Sequence, residues 1–214
     1  MRLARGGGVF IVGALGSFAV LYTIWWTGIL SLPAWLPLPF LICLLLFLFF
    51  FRDPQREPES GLSSDVALSP ADGRVIEAVN DERGAKISVY LRLTDVHVVR
   101  MPLACRMADV SQKGGTHHVA GSTRTSSNAR LVMDCRTEWG DMKVSMVSGM
   151  LARRIVPYLS GEGEVGRGDR IGLIRFGSRT EVVFPPGYTT SVEKGERVLA
   201  GVTPVALRED AKSE

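Results

Sequence analysis

Residues 6–51 read GGGVFIVGALGSFAVLYTIWWTGILSLPAWLPLPFLICLLLFLFFF and contain no Asp, Glu, Lys, Arg or His. One bilayer span needs about 20 apolar residues, so this run is long enough for two spans. A proline-rich break begins at Pro33, near its middle. The pattern therefore predicts two hydrophobic helices, over about 8–30 and 34–51, folded as a transmembrane hairpin.

Basic residues flank both outer ends of this run, with Arg2 and Arg5 before it and Arg52 and Arg56 after it. Loops rich in Lys and Arg stay on the cytoplasmic side, so both ends are expected in the cytoplasm. A signal peptide is the alternative, but its apolar core would span only about 7–15 residues. We therefore expect a membrane anchor over 1–51.

The chain carries a net charge of +3, and Arg2 and Arg5 account for two of these charges. The remaining residues, 52–214, are therefore nearly neutral. A strongly basic nucleic-acid-binding domain is excluded, since phosphate neutralisation needs clustered positive charge. Three cysteines, one of them inside the apolar run, form no disulfide framework and fit a reducing compartment. The sequence predicts one domain of ordinary size tied to a membrane.

Most of that domain reads as short strands rich in Val and Ile, separated by Gly, Pro, Asn or Asp. This spacing favours a mainly β fold, an antiparallel sandwich or barrel with few short helices. Only residues 149–159 offer a plausible short helix. The predicted strands are 74–79, 85–93, 96–99, 130–135, 142–147, 170–176, 180–184 and 197–207.

Residue types alone leave the chemistry open. The histidines, including the adjacent His117 and His118, and the cysteines lack the paired spacing of a zinc site, so no metal is expected. No Gly-x-Ser-x-Gly elbow occurs, and Ser145 and Ser148 read as ordinary serines. The arginines are concentrated at 153, 154, 167, 170 and 175. They form either a solvated face or a site for a lipid phosphate or an anionic membrane surface.

Several short motifs occur in a fixed order along the chain. They are Phe-Phe-Arg-Asp-Pro at 50–54, Ser-Pro-Ala-Asp-Gly-Arg-Val at 69–75, Asp-Val-His-Val at 95–98, Ala-Arg-Arg-Ile-Val at 152–156, Phe-Gly-Ser-Arg at 176–179 and Val-Glu-Lys-Gly-Glu-Arg-Val-Leu-Ala-Gly at 192–201. Each motif is weak alone, but the series closely resembles the short form of the phosphatidylserine decarboxylase proenzyme family. The resemblance extends from the second apolar helix to about residue 207.

The resemblance implies that the chain cuts itself between Gly177 and Ser178, giving fragments 1–177 and 178–214 that stay together as a heterodimer. Ser178 would become a covalent pyruvoyl group, which replaces a diffusible cofactor as the electron sink for decarboxylation. His97, oriented by Asp72, would be the base that takes the Ser178 hydroxyl proton.

The resemblance also implies that the substrate is phosphatidylserine in the membrane and the product phosphatidylethanolamine. Arg153, Arg154 and Arg175 are the candidate ligands of the lipid phosphate. The catalytic domain would lie on the cytoplasmic side of the inner cell membrane, and a homo-oligomer stays open.

Two alternatives remain. The first is an anchored, non-enzymatic β scaffold, because two segments also resemble turns of lipoyl-type modules. These segments are Ala-Asp-Gly-Arg-Val and Val-x-x-Gly-x-x-Val-x-Ala-Gly. The second alternative is a paralogue that acts on a different serine lipid, because residues 111–130 depart from the family pattern.

Overall fold

The computed structural model describes residues 2–58, 60–81, 84–114, 129–149, 154–175 and 178–209. The chain divides into two units, Met1–Gln55 and Arg56–Glu214. The first unit consists of β1 (Arg2–Leu3), α1 (Gly8–Thr27), α2 (Leu38–Phe50) and β2 (Arg52–Asp53).

The two apolar helices pack as an antiparallel hairpin. The Phe10 ring, in the first turn of α1, lies 5.5 Å from the Phe47 ring near the end of α2 and 5.7 Å from the Phe51 ring. β1 pairs with β2 in antiparallel register, with Arg2 opposite Asp53. The two outer ends of the hairpin are therefore adjacent within this unit.

Both helices are shorter than the sequence predicts. Gly28, with a left-handed φ of +66°, ends α1, and Pro37 caps the start of α2. α1 is long and apolar enough to cross a membrane. The 13 residues of α2 rise only about 20 Å, less than the roughly 30 Å hydrocarbon core. Among the described residues, α1 is thus the one helix of spanning length.

The second unit is mainly β, as predicted. Its strands are β3 (Ala67–Leu68), β4 (Gly73–Asp81), β5 (Gly84–Leu91), β6 (Val98–Arg100), β7 (Cys105–Lys113), β8 (Arg130–Thr137), β9 (Gly140–Ser148), β10 (Ile155–Pro157), β11 (Gly163–Val165), β12 (Arg170–Ile174), β13 (Ser178–Val183), β14 (Tyr188–Thr190), β15 (Arg197–Val198) and β16 (Pro204–Arg208).

These strands form three antiparallel sheets. The largest has the order β11-β7-β8-β9-β13-β5-β4-β15, and the smaller ones have the orders β10-β12-β6 and β14-β16-β3. The sheet containing β12 packs on β9, where a Cβ on Gly172 would lie 2.8 Å from the Met146 methyl group. The core between the sheets is built from alternate, inward-facing residues such as Ile87, Val144 and Val182.

Two predictions of secondary structure are wrong. The helix expected over 149–159 is not formed by its described residues, because Ile155–Pro157 is a strand that pairs with β12; residues 150–153 lie outside the described residues. The single strand expected over 197–207 is divided into β15 and β16, because Gly201 turns the chain at a φ of +69°.

Candidate functional site

Two connections link the eight-stranded sheet to the sheet of β6 and β12. One leads from the end of β5 through residues 92–97 into β6; on the other connection, β12 ends at Ile174 and β13 begins at Ser178, and residues 176 and 177 lie outside the described residues. β5 pairs with β13, and β6 pairs with β12. The first connection carries His97 and the second ends at Ser178, so the topology brings these two predicted site residues to the same edge of the fold.

Ser178 is the first residue of β13, the strand between β9 and β5. Its side chain is fully buried, and within the described residues its hydroxyl has no hydrogen-bond partner. A buried hydroxyl without a partner costs about 1–3 kcal/mol, so such a group is often retained for chemistry. Gly177, on the other side of the predicted scissile bond, lies outside the described residues.

Ser148 is the residue that sequence reasoning missed. It ends β9 directly opposite Ser178, and it is buried as well. Directly opposed residues have Cβ atoms about 4.5–5.5 Å apart. Its only sequence signal was a serine at the end of a predicted strand, which is too common a feature to single it out.

His97 is fully buried, and its Nδ1 lies 2.9 Å from the Asp95 carbonyl oxygen. A carbonyl only accepts hydrogen bonds, so Nδ1 must carry the proton in the neutral ring. Nε2 is then the basic nitrogen. The His97 carbonyl accepts a 3.2 Å hydrogen bond from the N–H of Ile174, which fixes His97 to the end of β12.

Asp72 is buried in a different network. Both its carboxylate oxygens accept from the Arg56 guanidinium, the Oδ2 contact at 2.7 Å, and Oδ1 also accepts from the Ala200 N–H at 2.8 Å. Arg56 additionally donates to the Ala200 carbonyl at 3.1 Å. Asp72 thus joins the 69–75 motif to the 192–201 motif, and its orientation of His97 stays a prediction.

Arg154 directly precedes β10, and Arg175 directly follows β12. The Arg175 N–H donates to the Arg154 carbonyl at 3.3 Å, which extends the pairing of β10 with β12 by one residue. Burial first, and then the positive charge of Arg154, lower the pKa of Arg175. Two neighbouring guanidinium groups repel one another, and an anion between them relieves that repulsion. Arg153, the third predicted phosphate ligand, lies outside the described residues.

Within the described residues, no group of three or more His, Cys, Asp and Glu side chains could hold a metal ion. His117 and His118 lie outside that part of the chain. The arrangement therefore offers a buried hydroxyl, an imidazole with a defined basic nitrogen and a pair of arginines.

Comparison with known proteins gives a consistent result. The family model for phosphatidylserine decarboxylase matches residues 43–206. A putative archaetidylserine decarboxylase proenzyme of Methanosarcina mazei is 41% identical over 157 residues, which cover 73% of each chain. The phosphatidylserine decarboxylase proenzyme of Solibacter usitatus is 39% identical over 190 residues, covering 86% of this chain and 91% of that protein. That of Streptomyces avermitilis is 40% identical over 157 residues, covering 73% and 71%.

Proposed function

The chain belongs to the phosphatidylserine decarboxylase family, and from that premise we propose that it cuts itself between Gly177 and Ser178 and then decarboxylates phosphatidylserine. The observation that carries this proposal is Ser178, a fully buried serine whose hydroxyl lacks a partner in the described structure. Family membership also favours an enzyme over the alternative of a non-enzymatic β scaffold.

Self-cleavage begins when the Ser178 hydroxyl attacks the Gly177 carbonyl and replaces the peptide bond by an ester. His97 accepts the hydroxyl proton through Nε2, the nitrogen left basic by the Asp95 contact. Elimination across Cα–Cβ of Ser178 frees the Gly177 carboxylate. Hydrolysis then consumes one water and releases ammonia, which leaves a pyruvoyl group at the start of 178–214.

The residues around Ser178 fit a pyruvoyl group formed from that serine. A small, uncharged group at the start of β13 would be enclosed by Leu91 of β5 and Ser148 of β9, which pair with Ser178. Once formed, the pyruvoyl group supplies the electron sink that decarboxylation requires. The protein's own task is to bind the lipid, exclude water and provide a proton donor, for which His97 is the candidate.

The arginine pair supports a phospholipid substrate. Arg154 and Arg175 together present planar donors that match a phosphate diester, and Arg175 is three residues from Ser178. They would hold the phosphate of phosphatidylserine, with Arg153 as a third candidate. A different serine lipid is the remaining alternative, because some relatives, including that of Methanosarcina mazei, are named as archaetidylserine decarboxylases.

The strand pairing explains how fragments 1–177 and 178–214 would stay together as a heterodimer. β13 lies between β5 and β9, β15 pairs with β4, and β16 pairs with β3. The small fragment would therefore supply an interior strand of the largest sheet. Its removal would expose that sheet's core.

The apolar first unit supports a membrane location. Its basic flanks favour both ends on the cytoplasmic side of the inner cell membrane, an orientation in which the shorter α2 also crosses, accommodated by local thinning of the bilayer. Attachment keeps the domain close to a substrate that never leaves the bilayer.

Cleavage is tested with two serine variants of the full chain, followed over time on denaturing gels. Ser178→Ala should remain one intact band. Ser145→Ala, a change of a second buried serine in the same sheet, should still cut. An uncut wild-type chain, or cleavage of Ser178→Ala, would refute the proposal.

Phosphate binding is tested by steady-state decarboxylation of phosphatidylserine in mixed micelles. Arg154→Gln and Arg175→Gln should each raise KM about tenfold or more, since a hydrogen bond to a charged group contributes about 1.5–3 kcal/mol. Arg106→Gln, at an exposed position on β7, should leave KM unchanged. Equal effects at all three positions would contradict a phosphate site. Faster turnover of archaetidylserine would favour the alternative substrate.

Topology is tested by cysteine labelling of intact cells with a membrane-impermeant maleimide, in a Cys43→Ser background. Ser31→Cys, in the turn between the helices, should react from outside. Arg5→Cys should react only after the membrane is opened. The reverse pattern would exclude the proposed orientation.

A further inference from the structure

The turn that precedes β6 is fixed by Asp95. The Asp95 N–H donates to the Arg92 carbonyl at 3.0 Å, and the Arg92 N–H donates back to Asp95 Oδ2 at 2.8 Å. These reciprocal hydrogen bonds close a short loop between the end of β5 and His97. The Asp95 carboxylate is almost completely buried at 4% exposure, so it acts as a part of the fold rather than as a surface charge.

A third contact links this turn to the C-terminal part of the chain. Asp95 Oδ1 accepts from the Arg197 guanidinium at 3.1 Å, and the Arg197 side chain is itself 70% exposed. An exposed partner adds little energy. The Arg92 N–H is therefore the contact that matters for the shape of the turn.

The same turn orients the Asp95 carbonyl, which accepts a hydrogen bond from His97. The Asp95 carbonyl oxygen lies 2.9 Å from His97 Nδ1, while the Asp72 carboxylate is engaged by Arg56 and Ala200. A histidine base generally requires a partner that fixes its tautomer and orientation. In this chain the partner of His97 Nδ1 is the Asp95 backbone carbonyl, so whatever fixes that carbonyl favours one tautomer and orientation of the ring.

We propose that Asp95 is the positioning residue of His97: its carboxylate locks the 92–95 turn, and the turn's carbonyl selects the Nδ1–H tautomer. This assigns to Asp95 the positioning role that the family resemblance implies for Asp72. The inference rests on the proposed self-cleavage, in which His97 Nε2 acts as the base.

The test has a readout that is independent of cleavage. The full chain carrying Ser178→Ala cannot process, so its tautomer can be measured in detergent micelles by nitrogen-15 NMR of labelled histidine. Three histidines occur in the chain, and the variant His97→Gln identifies the His97 signals. We expect a protonated Nδ1 and an unprotonated Nε2.

In that background, Asp95→Ala should convert the His97 signals to an average of both tautomers, whereas Asp72→Asn should leave the Nδ1–H tautomer unchanged. Asp95→Asn keeps an oxygen that can accept from the Arg92 N–H, so it should retain the tautomer. This conservative variant also serves where the alanine variant fails to fold.

With Ser178 restored, Asp95→Ala should slow cleavage about 100-fold, the effect of a misplacement near 1 Å, and Asp95→Asn should stay within a few-fold of wild type. An unchanged tautomer in Asp95→Ala, its loss in Asp72→Asn, or equal damage by Asn and Ala would each overturn the proposal. A wild-type chain that never cuts would instead refute the proposed function and leave the tautomer result standing.

Discussion

Replacing Arg56 by Met should strongly destabilise the β-rich unit. The Arg56 and Asp72 side chains are only 13% and 7% exposed, so neither charge is well solvated. Removal of Arg56 leaves a buried Asp72 carboxylate whose Oδ1 accepts from the Ala200 N–H. Breaking a buried ion pair in this way costs about 3–5 kcal/mol. For a chain of this size, the melting temperature should fall by roughly 6–20 °C.

The assay is thermal unfolding of the full chain in detergent micelles, in a Ser178→Ala background so that cleavage does not intervene. The matched control is Arg136→Met, which breaks an ion pair with Asp141 whose side chains are 77% and 80% exposed. The control should cost less than about 1 kcal/mol.

A double variant separates the cost of leaving the Asp72 charge unpaired from the cost of the packing lost with the Arg56 side chain. Asp72→Asn added to Arg56→Met removes the uncompensated charge, so it should recover part of the lost stability. If Arg56→Met lowers the melting temperature no more than Arg136→Met, or if the double variant melts below the single one, the ion-pair reasoning is wrong.

Two further predictions use the same thermal assay. Gly73→Ala should destabilise by roughly 2–5 kcal/mol, because a Cβ at its φ of +150° would lie 2.1 Å from the Tyr90 carbonyl oxygen; Gly161→Ala, at a φ of +81° in open space, should cost less. Lys86 holds the pKa of Glu77 below its ordinary 4.5 through a hydrogen bond, so this contribution to stability is present above pH 4.5 and is lost as the pH falls through the lowered pKa. Lys86→Met should therefore lower the melting temperature at pH 7 and lose that effect in acid.

Both predictions have clear contrary outcomes. Equal losses of stability in Gly73→Ala and Gly161→Ala would mean that the contact with the Tyr90 carbonyl does not determine the cost. A constant difference between wild type and Lys86→Met from pH 7 down to strongly acidic pH would exclude the Glu77 linkage.

Periodicity and composition were sufficient for much of the fold. The strands that bury one face, such as β5 and β13, alternate apolar and polar residues and were predicted nearly to their ends. β7 was missed because its sequence, CRMADVSQK, is polar and contains a bulge between Met107 and Asp109. The strand at Ile155 was missed because tertiary pairing with β12, rather than local preference, decides its conformation.

The candidate site was predictable as a set of residues but not as a network. Ser178 and His97 were predicted from the family resemblance, and the pairing of β5 with β13 and of β6 with β12 brings the strands next to them to one edge of the fold. Sequence could not reveal that Asp72 is engaged by Arg56, because that contact joins segments 16 residues apart through side chains. Nor could it reveal that a backbone carbonyl contacts His97 Nδ1, since a carbonyl carries no residue-specific signal.

The most direct test of the central claim is the intact mass of the purified full chain under denaturing conditions. Self-cleavage at Ser178 predicts two chains, 1–177 and 178–214, with the smaller chain lighter than the free peptide by one ammonia because a pyruvoyl group replaces its N-terminal serine. A single chain of 23.3 kDa, or a small chain that retains an N-terminal serine amine, would contradict the account.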